Sequence, residues 1–173
     1  MLSSPNSNFG ILDSISSPPE TPNKTLPGTN RITNFFQQWF NEQKLPWSKI
    51  EFGGGSDYAP FLAAGIAVGA LHTGTDETKP ITERDQYAAI LGRGNGGIAN
   101  SGYDPCYHQQ CDTIGNISPF AYEKVVKAAA HAIEYLGRLN DLEKWLYPQG
   151  RRKNFKSFNR NYLYHYYNDH NHI

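Results

Sequence analysis

The feature that most constrains this chain is a pair of cysteines placed five positions apart. The sequence contains only two cysteines, Cys106 and Cys111, in the stretch YDPCYHQQCDT, and they bracket Tyr107 and His108. A loop bracketed in this way can hold two polar side chains in one geometry, as metal sites and active sites require. The alternative is that the cysteines only staple a surface loop and that His108 is solvated. Spacing alone does not decide between these two readings.

Length and charge narrow the classes of protein. A chain of 173 residues has the length of one domain with a single core. Its 16 basic and 16 acidic residues balance, so charge favours neither nucleic acid nor an anionic membrane as a partner. The start, MLSSPNSNFG, lacks the pattern of a secretion signal. The cysteine pair and the sequons at Asn23 and Asn116 nevertheless suit an oxidising compartment, although Pro119 makes the second sequon a poor acceptor.

Hydrophobic periodicity in the first half predicts α/β structure. Residues 3–29 are rich in Ser, Pro, Asn and Gly and predict a long surface connection after a very short opening strand. The next segment predicts an amphipathic helix that ends at Pro46, because its apolar residues recur at helical spacing: Ile32, Phe35, Phe36, Trp39 and Phe40. SKIEF then predicts a short strand. APFLAAGIAVGAL predicts a short helix from about Pro60, a turn at Gly65 and a buried strand over residues 66–71.

The second half predicts two helices around a long loop. The first helix lies at about residues 80–90, and the loop runs on to Ile114. Ser118 caps the final helix, whose predicted apolar contacts are Phe120, Val125, Ala128, Ala129, Ala132, Ile133 and Leu136. His131 in that helix is predicted to be a packed core histidine.

The end of the chain shows no usable period. Residues 148–173 are therefore predicted to form a disordered basic and aromatic tail. Loose metal binding by its histidines, or stacking of its aromatic residues on RNA, is the less favoured alternative.

Three motifs occur in one order: GSDYAPFLAAGIAVGALHTG, YDPCYHQQCDT and AAAHAIEYL. With the opening MLSSPN they resemble the secreted bacterial and fungal di-zinc aminopeptidases of the leucyl aminopeptidase and aminopeptidase Y type, over residues 1 to about 140. The resemblance implies an α/β fold, namely a partial three-layer α/β/α sandwich of the zinc-exopeptidase, phosphorylase/hydrolase-like type with a mixed, mostly parallel sheet. It assigns residues 1–147 to the carboxy-terminal part of a peptidase domain.

The resemblance also implies a chemistry. In that family two zinc ions share a bridging water, which attacks the peptide carbonyl beside a free N-terminal amine. By resemblance, Cys106 and Cys111 form a disulfide, His108 is the last zinc ligand, and Tyr107 stabilises the tetrahedral intermediate. The substrates would be peptide or protein N-termini. The full-length enzyme would be a secreted monomer with neither nucleic acid nor membrane as a partner.

This sequence departs from the family in the other zinc ligands. The family's remaining ligands and its general-base Glu lie upstream of the matched segment, so the chain looks truncated and we expect it to be inactive alone. Gly54, Gly55 and His72 are predicted to line the substrate pocket. The family often has Arg at the position of Gly55 and Phe at that of His72, which puts the usual preference for a large apolar first residue in doubt. Asp57 is predicted to fix a loop rather than bind metal.

Two alternatives from other classes of protein remain. One is a non-catalytic interaction domain built on the peptidase fold, and the other is a gene remnant without function. The Tyr-His hairpin favours the enzyme lineage, because a binding domain has no need of a metal ligand. A phosphate cradle at the glycine run of residues 53–55 is disfavoured, because the run lacks the residues that accompany such loops.

Overall fold

The computed structural model describes residues 3–17, 21–52 and 56–150, and this part contains three strands and five helices. The strands are β1 (Gly10–Leu12), β2 (Ser48–Ile50) and β3 (Leu71–His72). The helices are α1 (Leu26–Glu42), α2 (Tyr58–Ala63), α3 (Ile81–Leu91), α4 (Pro119–Gly137) and α5 (Leu142–Leu146). Short 3-10 turns lie at Ser14–Ser16 and Ile114–Asn116. None of the helices in these ranges has the length and apolar character needed to cross a membrane.

The three strands form one sheet with the order β2-β1-β3. β1 pairs with β3 in antiparallel fashion, with Gly10 opposite His72 and Ile11 opposite Leu71. The sheet is mixed, and with five helices it gives the α/β class that the sequence predicts.

Contacts divide the chain into two compact units. The described part of the first unit consists of residues 3–11, 36–50 and 71–133, and that of the second unit consists of residues 12–17, 21–35, 51–52, 56–70 and 134–150.

The core of the first unit is centred on Phe9, which is 1% exposed. Its ring centroid lies 5.4 Å from that of Phe40, 6.2 Å from that of Tyr87 and 6.1 Å from that of Phe120. The Phe9 backbone N–H donates to the Tyr87 hydroxyl at 2.6 Å. Aromatic contacts of this kind stabilise a core beyond the area they bury, so the residues just before β1 belong to the core.

The prediction of a surface connection over residues 3–29 is therefore wrong at its start. β1 lies inside that stretch, and Ser4, Asn6 and Asn8 are buried. Buried polar groups need hydrogen-bond partners, and the Asn6 side chain has four such bonds. Its amide donates to the carbonyls of Ile98, Ser101 and Gly102 at 2.9, 3.3 and 3.1 Å, and its oxygen accepts from the Ile98 N–H at 2.8 Å.

Lys79 is a second buried polar residue of the first unit, with 1% exposure. Its ammonium donates to the carbonyls of Ser7 at 2.8 Å and Gly96 at 3.1 Å, and it lies 4.8 Å from the centroid of the Tyr87 ring. Burial lowers the pKa of Lys79, while the nearby Glu83 opposes that shift.

The second unit is organised around the first half of α1. The Thr33 hydroxyl donates to the Leu12 carbonyl at 2.8 Å, and the Thr29 hydroxyl accepts from the Val68 N–H at 3.1 Å. Near α5, the Arg31 guanidinium donates to the Trp145 carbonyl and lies over the Trp145 ring. These contacts anchor α5, which the sequence did not predict.

The helix predictions hold better than the strand predictions. α1, α2 and α3 occur where the sequence predicts helices, and the turn at Gly65 has a φ of 78°. β2 is also confirmed. The predicted buried strand over residues 66–71 is wrong, because only Leu71 and His72 are in strand conformation and both are half-buried.

α4 begins at Pro119 as predicted, and Ser118 caps it by accepting the Ala121 N–H at 3.2 Å. Its buried face consists of Ala121, Val125, Ala128 and Ala132. Two predictions on this helix are wrong: Ile133 is 75% exposed, and His131 is exposed rather than part of the core. α4 carries apolar side chains outside its buried face as well, among them Val126 at 41% exposure, so periodicity did not select the buried face. Of the predicted tail, residues 151–173 lie outside the described residues.

Candidate active-site hairpin

The two cysteines close a short hairpin, defined here as residues 104–116. Cys106 and Cys111 form a disulfide with their Cα atoms 5.3 Å apart, which confirms the predicted pairing. Within the bridge, the Gln109 N–H donates to the Cys106 carbonyl at 2.9 Å. The hairpin is therefore held by both a covalent bond and a backbone turn.

Asp104 anchors the hairpin at its base and is 2% exposed. One carboxylate oxygen accepts from the Cys106 N–H at 3.0 Å and from the Asn116 side-chain amide at 2.7 Å. The Asp104 backbone N–H donates to the Thr75 carbonyl at 2.6 Å, and its carbonyl accepts from the Tyr107 N–H at 3.2 Å. Sequence reasoning missed this residue. A signal was available in the sequence, because an Asp at the start of a turn often accepts a hydrogen bond from the backbone N–H two residues later. This arrangement is an Asx turn.

Tyr107 and His108 lie side by side at the turn of the hairpin. Their ring centroids are 3.8 Å apart with an interplanar angle of 21°, so the rings stack. Tyr107 is half-buried and His108 is exposed. The backbone of His108 has a φ of 56°, a left-handed conformation that is uncommon for residues other than glycine. The disulfide and Asp104 hold the two flanks of this turn, which presents the imidazole outward.

His72 ends β3 and is half-buried. Its Nδ1 atom accepts from the Gly74 N–H at 3.2 Å. Burial lowers the pKa of His72, because the charged imidazolium is poorly solvated there. Among the described residues, no hydrogen bond or ring contact joins His72 to Tyr107 or His108.

The remaining predicted pocket residues are Gly54 and Gly55. Gly54 and Gly55 lie outside the described residues, so their assignment to a pocket stays a prediction. Asp57 directly precedes α2, is exposed and makes no capping hydrogen bond through its side chain. The role predicted for Asp57, to fix a loop rather than bind metal, stays a prediction.

The described residues do not fit a zinc ion by themselves. Zinc in proteins takes three or four His, Cys, Asp or Glu ligands. No group of three such side chains that could hold a metal occurs in residues 3–17, 21–52 and 56–150. His108 therefore stands as a single potential ligand, and the cysteines beside it are consumed by the disulfide.

A profile of known families matches most of the chain. Residues 6–133 match Peptidase family M28, and the chain belongs to that family. The matched range contains the complete hairpin and His72.

Individual relatives agree with the family assignment. The chain is 36% identical to an aminopeptidase of Pseudomonas aeruginosa over 112 residues, which are 64% of this chain and 19% of the relative. It is 32% identical to leucine aminopeptidase 2 of Trichophyton rubrum over 139 residues, 80% of this chain and 26% of the relative. It is 28% identical to aminopeptidase Y of Saccharomyces cerevisiae over 134 residues, 77% of this chain and 20% of the relative. The chain thus spans about a fifth to a quarter of the length of these relatives.

Proposed function

We propose that this chain is part of a zinc-dependent aminopeptidase and that it supplies the hairpin of the active site. The observation that carries the proposal is the disulfide-closed turn that stacks Tyr107 on His108 and presents the imidazole to solvent. Membership of Peptidase family M28, and relatives named as aminopeptidases, support the reaction class.

The role proposed for His108 is that of one zinc ligand. An exposed imidazole on a disulfide-closed turn can reach a metal held by another part of a protein, and its stacking on Tyr107 restrains the ring. Since the described residues provide no complete ligand set, the remaining ligands are proposed to lie in other parts of a longer enzyme. This agrees with the short share of each relative that the chain spans.

The role proposed for Tyr107 is to donate a hydrogen bond from its phenol to the oxygen on which negative charge develops. A hydrogen bond to developing charge is stronger where water is partly excluded, and Tyr107 is half-buried. Its backbone N–H is tied to Asp104, and its ring is packed on His108. Both restraints reduce the motion of the ring before a substrate binds.

The finer features follow from the same proposal. The substrates are peptide or protein N-termini, His72 together with Gly54 and Gly55 borders the pocket for the first side chain, and the complete domain is a three-layer α/β/α sandwich. The complete enzyme is proposed to be a secreted monomer, in keeping with the disulfide.

A chimeric enzyme tests this proposal. Residues 6–133 of this chain would replace the matching segment of the Pseudomonas aeruginosa aminopeptidase, and zinc content and hydrolysis of leucine p-nitroanilide would be measured. His108→Ala should lower the zinc stoichiometry and nearly abolish turnover. Tyr107→Phe should retain zinc and reduce kcat by about 10²–10³-fold, as expected when one oxyanion donor is removed.

The matched controls are His131→Ala and Tyr122→Phe, which change the same residue types at exposed positions of α4. Both should leave zinc content and kcat unchanged. Full zinc content and full turnover in the His108 variant would refute the ligand assignment. The isolated 173-residue chain should bind zinc weakly and hydrolyse no aminoacyl substrate. Robust activity that is lost on His108→Ala would show that the chain supplies the other ligands itself.

A further inference from the structure

We propose that Asn23 is a site of N-linked glycosylation and that Asn116 is not, when the chain passes through a eukaryotic secretory pathway. Both residues begin an Asn-X-Ser/Thr sequon, Asn23-Lys24-Thr25 and Asn116-Ile117-Ser118. The inference goes beyond the proposed peptidase activity and does not rest on it. The structure distinguishes the two asparagines by what surrounds each amide.

The Asn23 side chain is accessible. Asn23 is exposed in the turn before α1, and its amide makes no hydrogen bond to any residue of the described part of the chain. Attachment of a sugar to its Nδ2 atom would therefore break no interaction among those residues. Surface exposure in a turn is the setting in which such glycans are carried.

The surroundings of Asn23 can also accommodate sugar. It lies in the wall of a wide cleft of about 730 Å³ in the second unit, within the size range of about 300–1,000 Å³ typical of ligand clefts. The walls carry uncharged hydroxyl and amide side chains, among them Ser14, Ser17, Asn30 and Gln149. Groups of this type can donate and accept hydrogen bonds with the first sugars of a glycan.

The side-chain amide of Asn116 is already hydrogen-bonded. Its amide donates to the Asp104 carboxylate at 2.7 Å and to the Asp112 carboxylate at 3.3 Å. A glycosylated amide retains only one N–H, so at least one of these bonds would be lost. The loss would fall on Asp104, the buried base of the hairpin, or on Asp112.

The sequon hydroxyls do not separate the two sites, because the Thr25 hydroxyl is buried and donates to the Pro22 carbonyl at 2.8 Å, and Ser118 is engaged as well. The Ser118 Oγ atom accepts from the Ala121 N–H and so caps α4, and the Ser118 N–H donates to the Ser3 carbonyl at 2.8 Å. Pro119 directly follows Ser118 and restricts its backbone to extended conformations. The features that set the sequon at Asn116 apart from the one at Asn23 are therefore Pro119 and the hydrogen-bonded amide of Asn116.

The modification itself is a transfer from a dolichyl diphosphate oligosaccharide. The bond between the anomeric carbon of the first sugar and the diphosphate oxygen breaks. A bond between that carbon and Asn23 Nδ2 forms, dolichyl diphosphate leaves, and the amide loses one proton. The reaction involves no oxidation or reduction.

Cell-free translation into microsomes tests the inference without depending on the stability of the product. The full chain would be placed behind a cleavable secretion leader, and protection from added protease would verify translocation. Removal of glycans with peptide N-glycosidase then counts the occupied sites by gel mobility. The variants are Asn23→Gln, Asn116→Gln, and the pair Thr25→Ala and Thr25→Ser.

The expected result is one glycan on the wild-type chain, one on Asn116→Gln, and none on Asn23→Gln or Thr25→Ala. Thr25→Ser should restore the single glycan, because it restores the sequon hydroxyl. An unmodified but protease-protected wild-type chain would overturn the inference. So would a glycan that survives Asn23→Gln, or two glycans on the wild-type chain.

Discussion

Two irregular segments of the first unit, the hairpin and residues 3–9, are each organised by one buried polar side chain. In the hairpin that residue is Asp104, whose carboxylate is bonded to groups 2 and 12 positions away. In residues 3–9 it is Asn6, whose partners are 92–96 positions away. The hairpin is therefore a local structure closed further by a disulfide. Residues 3–9 are held by distant parts of the described chain, since Ser4 and Asn8 likewise bond to Thr73.

The two segments should therefore respond differently to the loss of their anchoring side chain. Loss of a local anchor should loosen the hairpin and leave the rest of the unit in place. Loss of a long-range anchor should weaken the whole unit, because the segment joins the residues before β1 to those around residue 100. Forming long-range contacts also costs the conformational entropy of closing a long loop. Such contacts therefore form late and cooperatively during folding.

The largest effect is expected for Asn6→Ala. The variant removes four part-buried hydrogen bonds and leaves three carbonyls and the Ile98 N–H without the Asn6 partner, which should lower the free energy of unfolding by about 3 kcal/mol. Urea denaturation measures this change. Asn95→Ala is the matched control, because Asn95 is exposed and donates one bond to the Leu91 carbonyl, and it should cost less than about 0.5 kcal/mol. Equal losses in the free energy of unfolding for Asn6→Ala and Asn95→Ala would show that Asn6 is not a long-range anchor.

Removal of the disulfide should have the next largest effect. The double variant Cys106→Ser/Cys111→Ser should lose about 2 kcal/mol, the chain-entropy value for so short a loop. Amide hydrogen exchange locates the loss. The Gln109 N–H should exchange faster, whereas the Asn8 N–H, which donates to Thr73, should keep its protection. Faster exchange at Asn8 would mean that the hairpin is not a local structure.

A smaller effect is expected for Asp104→Asn. An amide keeps one acceptor oxygen but loses the charge, and neutral hydrogen bonds are roughly half as strong as charge-assisted ones, so we expect a cost of about 1 kcal/mol. Asp112→Asn changes an exposed carboxylate that accepts from the same Asn116 amide, and it should be nearly neutral. The comparison fails if the exposed carboxylate proves the more costly of the two.

The smallest expected effect is a loss of stability at acidic pH. The pKa of His72 is lowered in the folded protein, so below the unfolded value of about 6.5 the unfolded chain takes up the proton first. Stability should therefore fall as the pH drops from 6.5 to the folded-state pKa. The fall in melting temperature between pH 7.5 and 5.5 should shrink in His72→Gln. An unchanged pH dependence in His72→Gln would assign the effect to other groups.

The same division between local and long-range order explains which features the sequence predicted. The spacing of Phe36, Trp39 and Phe40 predicts α1, and the cysteine spacing with the family motif predicts the disulfide, because each pattern is contained in a few neighbouring residues. The burial of Asn6 had no local signal, since its partners lie more than ninety positions away. The exposure of His131 and Ile133 was missed because α4 carries apolar side chains on more than one face.

The residues of the candidate site also fall into those that a local sequence pattern predicted and those that it did not. Tyr107 and His108 were found from their motif, and their stacked arrangement follows from the short loop that carries them. Asp104 was missed although it anchors that loop, because an Asp in a turn is common and only its burial reveals its role. Gly54 and Gly55 lie outside the described residues, so the pocket predicted from them and His72 stays a prediction.

The burial of Lys79 has a consequence for chemical labelling. Its amine is enclosed by the carbonyls of Ser7 and Gly96 and by the face of the Tyr87 ring, so amine-acylating reagents have no access to it in the folded protein. Burial is what lowers the pKa of Lys79, so the released amine regains the pKa and the reactivity of an ordinary surface lysine. Acylation of Lys79 therefore reports the moment at which residues 3–9 detach, and its labelling rate measures how often that part of the first unit opens.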